Sequence, residues 1–135
     1  MKRLIISLIA ILCPAIALAE LDQTTTLSTS SSSNLDLDTG ATSSSGGDIQ
    51  FSASGITPQG NATAVNAMIF ATAAKLNSLI ELEVSLYPGF SQAELPSSIL
   101  KVGDLFYVKT NGSNYAALLV TATTGSTITL MFRTF

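Results

Sequence analysis

Three carboxylates in the first half of the chain have the residue type and the spacing of a cation site. Asp36 and Asp38 alternate with Leu35 and Leu37, and Asp48 follows a stretch rich in Gly and Ser. A period of two places Asp36 and Asp38 on one face of a strand, and a hairpin would bring Asp48 close to them. Their oxygens are of the kind that Ca²⁺ prefers. The other ligands of a calcium loop are missing, so the sequence favours solvated acids on a strand face and predicts no metal site.

A second candidate for chemistry is the triplet Asp38-Thr39-Gly40, which lies between Leu37 and Ala41. It is similar to the active-site triplet of aspartic proteases, in which two Asp residues share a proton and activate water. The resemblance implies a dimer, because the second Asp38 would have to come from another copy. The strands that precede the triplet in that family, and its late apolar-apolar-Gly element, are missing from this sequence. Since Asp and Gly are also ordinary turn residues, a dimeric aspartic protease is the least favoured hypothesis.

The composition removes most other catalytic systems. The sequence has no His and no Trp, and its one cysteine is Cys13. Without His, the Ser-His-Asp and Cys-His nucleophile systems and any imidazole metal site are excluded. The sequence therefore predicts a protein that is not an enzyme, with no catalytic residues and no cofactor.

The segment 1–19 has the pattern of a signal peptide. The basic pair Lys2-Arg3 precedes an apolar run from Leu4 to Ile16, and Ala17-Leu18-Ala19 supplies small residues at alternating positions. The apolar run is shorter than the roughly 20 residues that span a bilayer, so a permanent membrane helix is disfavoured. We expect cleavage after Ala19 and a protein that is secreted or held at the cell surface, with the periplasm as the alternative destination.

Cleavage would leave an acidic chain without cysteine. Lipid attachment at Cys13 is disfavoured, because Leu12 stands where lipoprotein signals have a small residue. Beyond residue 19, nine acidic residues face four basic ones, which gives a net charge of −5. The basic residues are Lys75, Lys101, Lys109 and Arg133. Nucleic-acid binding needs a basic stripe, so no nucleic-acid partner is expected. No disulfide and no integral membrane segment are expected after cleavage.

A single β-rich domain is expected over residues 34–135, after a flexible leader over 20–33. The leader is rich in Ser and Thr and cannot bury enough apolar surface to offset its ordering entropy. Alternating residues predict strands at 35–38 and 48–52, joined as a hairpin across the loop 39–47.

The middle of the chain changes period. Pro and Gly residues predict a turn over 55–60. Apolar residues then recur at three- and four-residue spacing, which predicts a helix over about 64–80, although the small residues of this segment would also suit buried strands. A further strand is expected over 82–86.

The C-terminal third predicts a three-stranded antiparallel meander. Strands are expected over 100–110, 115–123 and 127–135, and Asn111-Gly112 is the residue pair of a tight hairpin turn. The middle strand is apolar on both faces, which is typical of a central strand. The predicted fold class is mainly β (α+β), either an antiparallel sheet or a small β-sandwich, with one helix near residues 64–80.

This last third resembles a pattern found in small exported bacterial proteins of unknown function. The matching residues are Val102-Gly103-Asp104, Phe106 to Lys109, Thr110-Asn111-Gly112, Tyr115-Ala116 and Ile128-Thr129-Leu130. Parts of the pattern also occur over 35–40 and 57–62. The resemblance implies an exported bacterial β-domain and carries over no particular activity.

These observations favour a non-enzymatic extracellular or cell-surface β-domain that acts in adhesion, matrix or filament assembly. Its partners would be other copies, joined through the leader or through an edge strand such as 127–135, or else a surface glycan or protein. A small-ligand or carbohydrate-binding module is the alternative hypothesis. For stacking on a glycan, the chain offers no Trp and the three tyrosines Tyr87, Tyr107 and Tyr115.

Overall fold

The computed structural model describes residues 22–135, and the predicted signal segment 1–19 lies outside the described residues. In chain order the elements are β1 (Gln23–Ser28), β2 (Asn34–Leu35), β3 (Thr42–Ser43), β4 (Ile49–Phe51), β5 (Gly55–Pro58), β6 (Thr63–Phe70), α1 (Ala73–Ser78), α2 (Glu81–Ser85), β7 (Leu95–Pro96), a 3₁₀ turn (Ser97–Ile99), β8 (Asp104–Lys109), β9 (Tyr115–Thr123) and β10 (Thr127–Thr134). Neither of the two helices found in this part of the chain is long and apolar enough to cross a membrane.

The strands form two antiparallel sheets of five strands each, which confirms the predicted fold class. The larger sheet has the order β1-β10-β9-β8-β6, and the smaller has the order β3-β2-β4-β5-β7. The predicted meander is confirmed as β8, β9 and β10. The predicted pairing of the segments 35–38 and 48–52 is also confirmed, as the β2–β4 pair.

The larger sheet is covered by apolar side chains on both of its faces. One face packs against the smaller sheet, where Phe106, Leu118 and Phe132 share a buried cluster with Ile49 and Ile56. Fully burying each such side chain stabilises the fold by about 1.5–3 kcal/mol. The opposite face packs against α1 and α2, in a cluster that includes Leu76, Leu79, Val84, Leu105 and Leu119. The central strand β9 is therefore apolar on both faces, as predicted.

The strand β10 is not an edge of the sheet, so the prediction of an edge strand at 127–135 is wrong. Its inner side pairs with β9, and its outer side pairs with β1 along the whole of Gln23–Ser28. The alternation in β10 is as expected, because Ile128, Leu130 and Phe132 are buried. The sequence of β10 does not show which strand pairs with its outer side.

That strand is formed by residues 23–28, where the structure differs from the predicted flexible leader. Two physical features order this segment. Leu27 is fully buried and shares the cluster between the two sheets, and the threonines have the branched side chains that fit a pleated strand. The backbone hydrogen bonds come from β10, which lies about a hundred residues away in the sequence.

The segment 64–80 is a strand followed by one short helix, so the predicted long helix is wrong over most of its length. The strand β6 carries an irregularity between Asn66 and Phe70 in its pairing with β8. The helical spacing came from apolar residues that include Met68 and Ile69, but both are exposed in this irregular stretch. The buried residues of β6 instead alternate between the two faces of the sheet, because Ala64 belongs to the cluster between the sheets and Ala67 to the helical layer.

Two shorter predictions are also wrong. The segment 82–86 is the helix α2, because the Glu83 side chain accepts the main-chain N–H of Ile80 (3.2 Å) and caps its first turn. The segment 55–60 is mostly the strand β5, which pairs with β4 and β7. Pro58 is tolerated because it is the last residue of that strand, and the next N–H, that of Gln59, donates to the Asp48 carbonyl.

Candidate functional site

The three carboxylates singled out in the sequence lie together in the structure. One carboxylate oxygen from each of Asp36, Asp38 and Asp48 lies within 4.8 Å of the other two. The pairing of β2 with β4 creates this proximity, because Asp36 directly follows β2 and Asp48 directly precedes β4. Asp36 and Asp38 do not share a strand face as predicted. The strand ends at Leu35, and both residues belong to the turn that follows.

Asp36 builds this turn. Its Oδ1 accepts the main-chain N–H groups of Asp38 (3.0 Å) and Thr39 (3.1 Å). Its own carbonyl accepts the N–H of Gly40 at 2.7 Å. Such a turn is the ordinary use of an Asp that precedes a change of chain direction.

Asp38 connects the turn to the β8–β9 hairpin. Its Oδ1 accepts hydrogen bonds from the Thr110 hydroxyl (3.0 Å) and from the Asn114 side-chain amide (2.9 Å). Gly112 also lies close to this carboxylate. A Cβ added at Gly112 would lie only 2.6 Å from Asp38 Oδ2. The Asp of the Asp-Thr-Gly triplet therefore holds a hairpin in place.

Asp48 is the buried member of the cluster, with only 1% of its surface exposed. Its two oxygens accept different main-chain N–H groups, from Leu37 at 2.8 Å and from Asn111 at 2.6 Å. Burial raises the pKa of Asp48 above its ordinary value, and the nearby charges of Asp38 and Asp36 act in the same direction. The two N–H groups oppose this shift, because they stabilise the ionised form.

Asn111 completes the connection between the loops. Its side-chain oxygen accepts the N–H of Asn61 at 2.7 Å, and its amide donates to the carbonyl of Gly47 at 2.8 Å. The sequence identified Asn111 as a turn residue. Its contacts to two distant loops carry no local sequence signal, and neither do those of Thr110 and Asn114. Together, the six side chains form what we call the Asp–Asn network, which comprises Asp36, Asp38, Asp48, Thr110, Asn111 and Asn114.

The chemistry available to the Asp–Asn network is limited by its internal hydrogen bonds. Each of the three carboxylates already accepts N–H or O–H groups of the protein. A protease dyad needs two carboxylates that share a proton between them, whereas the Oδ1 of Asp38 is engaged by Thr110 and Asn114. The arrangement is that of a cross-link between three loops, and the acids are not solvated groups on a strand face.

The three tyrosines that would be available for glycan stacking belong to the layer between the larger sheet and the helices. Tyr107 is buried and meets Tyr87 edge-to-face with ring centroids 5.2 Å apart. Tyr115 packs in the same way against Phe90, at 5.9 Å. These rings fill the helical layer.

An apolar groove lies at the C-terminal end of β6. Met68 and Phe70 are 84% and 78% exposed, and they line a groove of about 300 Å³ together with Ile99, Lys101 and Asp104. Met68 has a φ of 55°, which a side chain of this kind rarely adopts. The Asn66 side chain accepts the N–H of Met68 at 2.7 Å and holds this conformation.

The edges of the two sheets differ in length and composition. The smaller sheet ends in β3 and β7, which have two residues each, and β7 contains Pro96. The larger sheet ends in β1 and β6, with six and eight residues, and neither strand contains a charged residue or a proline. The outer side of β6 is bridged at Ala64 by Ser91, whereas β1 has no second strand partner among residues 22–135.

No family model, no curated protein and no solved structure matches this chain. The resemblance of its C-terminal third to small exported bacterial β-domains therefore stays a prediction. Among the described residues, the features that bear on function are the Asp–Asn network, the groove beside β6 and the open edge at β1.

Proposed function

We propose that this chain is an exported, non-enzymatic β-domain that works outside the cytoplasm by associating with other copies of itself, in adhesion, in a matrix or in filaments. The contrast between the edges of the two sheets carries the proposal. The smaller sheet ends in short strands, one of them with a proline, while the larger sheet ends at β1 in a six-residue strand without any such protection.

Sheet edges that must stay unpaired are normally protected by charge, proline, bulges or shortness. The strand β6 has a bulge, and β3 and β7 are short. The strand β1 reads Gln-Thr-Thr-Thr-Leu-Ser and has none of these devices. Its exposed residues Thr24 and Thr26 are β-branched, and threonine pairs across adjacent strands contribute roughly 0.2–1 kcal/mol each. A strand of a second copy can therefore add to this edge.

The contacts of Asp38 support the non-enzymatic part of the proposal. The one residue that suggested catalysis accepts hydrogen bonds from Thr110 and Asn114 within the protein. With no His in the sequence, a general base would have to come from another residue type.

The state of association of residues 20–135 tests the proposal. Light scattering coupled to size-exclusion chromatography, over a wide range of concentrations, should show oligomers that grow with concentration, and electron microscopy should show their form. A protein that stays monomeric at the highest concentration and forms no fibres would contradict self-association.

A charge placed on the edge gives the matched comparison. Thr24→Lys adds a gatekeeper charge at an exposed position of β1 and should shift the protein towards monomers. Ala74→Lys adds the same charge at an exposed position of α1 and should leave association unchanged. Equal association of both variants would show that copies do not associate by adding a strand to the outer edge of β1.

A further inference from the structure

We infer that copies of this chain associate by exchanging β1, so that the β1 strand of one copy pairs with β10 of another. The inference rests on the proposed self-association and names its partner and its mechanism. The partner is a second copy of this chain, and the receiving surface is the outer side of β10 together with the space that Leu27 fills.

The attachment of β1 to its own domain is narrow. Its strand partner is β10 alone, through the six residue pairs from Gln23–Phe132 to Ser28–Thr127. Of its side chains, Leu27 is the one that is fully buried, and it enters the cluster between the two sheets. Withdrawal of β1 therefore uncovers one apolar space and one strand edge, and leaves the other four strands of the larger sheet paired as before.

The segment that joins β1 to the rest of the domain is suited to a change of path. Residues 29–33 read Thr-Ser-Ser-Ser-Ser and lead from the larger sheet to the smaller one. Its composition is that of a flexible linker, and five residues can reach at most ~18 Å when extended. Within one copy, three backbone bonds hold this segment: Thr29 N donates to the Ser126 carbonyl (3.0 Å), Ser28 N to the Ser32 carbonyl (3.2 Å) and Phe51 N to the Ser33 carbonyl (2.7 Å).

Exchange retains the contacts that β1 makes with β10 and with the cluster between the sheets. The incoming strand has the same sequence, so the register with β10 and the burial of Leu27 are reproduced, while the path of residues 29–33 and their bonds to Ser28 and Ser126 change. Exchange of an identical element is for this reason a low-cost route to association. An incoming strand makes more contacts at the vacated β10 edge than at the outer edge of β1. The β10 edge provides both unpaired backbone groups and the apolar space that Leu27 fills.

A disulfide between β1 and β10 distinguishes exchange from simple edge addition. Thr26 and Thr129 are opposite each other, with their hydroxyl oxygens 2.9 Å apart. The one cysteine of the sequence, Cys13, lies outside residues 20–135. In the Thr26→Cys/Thr129→Cys variant of residues 20–135, oxidation after assembly joins the two strands wherever they are paired. Exchange predicts that most of the cross-linked protein runs as dimers or longer species on a denaturing, non-reducing gel.

The control pair is Ala122→Cys/Thr129→Cys, which joins β9 to β10 within one copy and should give covalent monomers. Thr26→Cys alone reports collisional cross-linking. If the first pair prevents folding, Thr24→Cys/Met131→Cys joins β1 to β10 two residues away and should give the same result.

Two results would overturn the inference, and they are distinguishable. Assemblies whose Thr26→Cys/Thr129→Cys chains are cross-linked only within themselves would exclude exchange and leave self-association standing. A parent protein, without cysteine, that is monomeric at every concentration would exclude self-association and exchange together.

Discussion

The main-chain N–H of Asn111 donates a 2.6 Å hydrogen bond to the buried carboxylate of Asp48, across 63 positions of sequence. This bond joins the tip of the β8–β9 hairpin to the loop that precedes β4. With the bond from Leu37 N to the other oxygen of Asp48, it makes this carboxylate one of the connections between the two sheets at this end of the domain. The Asp–Asn network is thus a structural element of the sandwich.

Replacing Asp48 by Asn should destabilise the fold. The amide keeps the shape of the side chain but presents an NH₂ group where one of the two oxygens accepted a main-chain N–H. A buried donor left without an acceptor costs about 1–3 kcal/mol. Urea unfolding followed by circular dichroism should show this loss, and Asp22→Asn, outside the Asp–Asn network, should unfold like the parent. Equal stability of the two variants would contradict the role assigned to Asp48.

The raised pKa of Asp48 predicts the sign of a pH dependence. The folded state binds the Asp48 proton more readily than the unfolded state, whose carboxyl has a pKa of about 3.9. The contribution of Asp48 to stability is therefore fully present below the unfolded pKa and is lost as the pH rises through the folded pKa.

We expect this contribution to appear as a difference between two pH profiles. The parent protein should lose more stability than Asp48→Asn as the pH rises from about 4 to 7, after correction for the stability offset between them. Thermal unfolding at closely spaced pH values measures both profiles. Parallel profiles, or a parent that gains more than the variant, would show that the Asp48 pKa is not raised.

The bond between Asp38 and Asn114 predicts an energetic coupling between these two residues. Asp38→Ala and Asn114→Ala should each destabilise the fold, and the double variant should lose less than the sum, with a coupling of about 0.5–3 kcal/mol. A double-mutant cycle from urea unfolding measures it. Asp38→Asn, which keeps a side-chain oxygen as acceptor, gives the enzyme test, because pepstatin-sensitive cleavage at acid pH that disappears in this variant would support the protease hypothesis instead.

Arg133 connects β10 to the end of α1. Its Nη1 donates to the carbonyls of Asn77 (2.8 Å) and Leu79 (3.3 Å), where the last turn of the helix leaves acceptors free. Arg133→Met retains the length of the side chain and removes both bonds, so it should cost about 1–3 kcal/mol. Amide hydrogen exchange should become faster in α1 while β8 and β9 stay protected. Unchanged exchange in α1 would contradict the capping role.

The parts of the fold that could be predicted from the sequence are strands with alternating apolar residues that pair with the next strand along the chain. The meander β8-β9-β10 joins neighbours in sequence by short turns, so alternation sufficed to predict it. The tight two-residue turn expected at Asn111-Gly112 is wrong, because the loop 110–114 joins β8 to β9 and its residue with positive φ is Ser113. The strand β1 was missed because five of its six residues are polar, and its order depends on Leu27 and on a partner far along the chain. The composition of residues 23–28 does not show that they pair with β10.

The sequence predicted the three carboxylates of the candidate site, but it predicted neither their partners in the β8–β9 loop nor the structural role of the site. Alternation and the expected hairpin brought Asp36, Asp38 and Asp48 together, as the structure does. Their hydrogen-bond donors come from the turn itself and from residues 110–114, and the long-range donors have no local signal. The helical period of 64–80 misled because it combined the exposed Met68 and Ile69 of β6 with buried leucines in and just after α1, and these residues share no buried face.

The close approach of Gly112 to Asp38 gives a prediction with an internal control. A Cβ at Gly112 would lie 2.6 Å from Asp38 Oδ2, and the carboxylate cannot withdraw without straining its bonds to Thr110 and Asn114. Gly112→Ala should therefore destabilise the fold by on the order of 1 kcal/mol, the net value of one such bond. A Cβ at Gly125 meets nothing within 4 Å, so Gly125→Ala should be neutral or should stabilise by up to about 1 kcal/mol, because alanine restricts the unfolded chain. Chemical unfolding of the two variants side by side measures the difference, and a Gly112→Ala protein as stable as Gly125→Ala would show that the contact between the hairpin and Asp38 is loose.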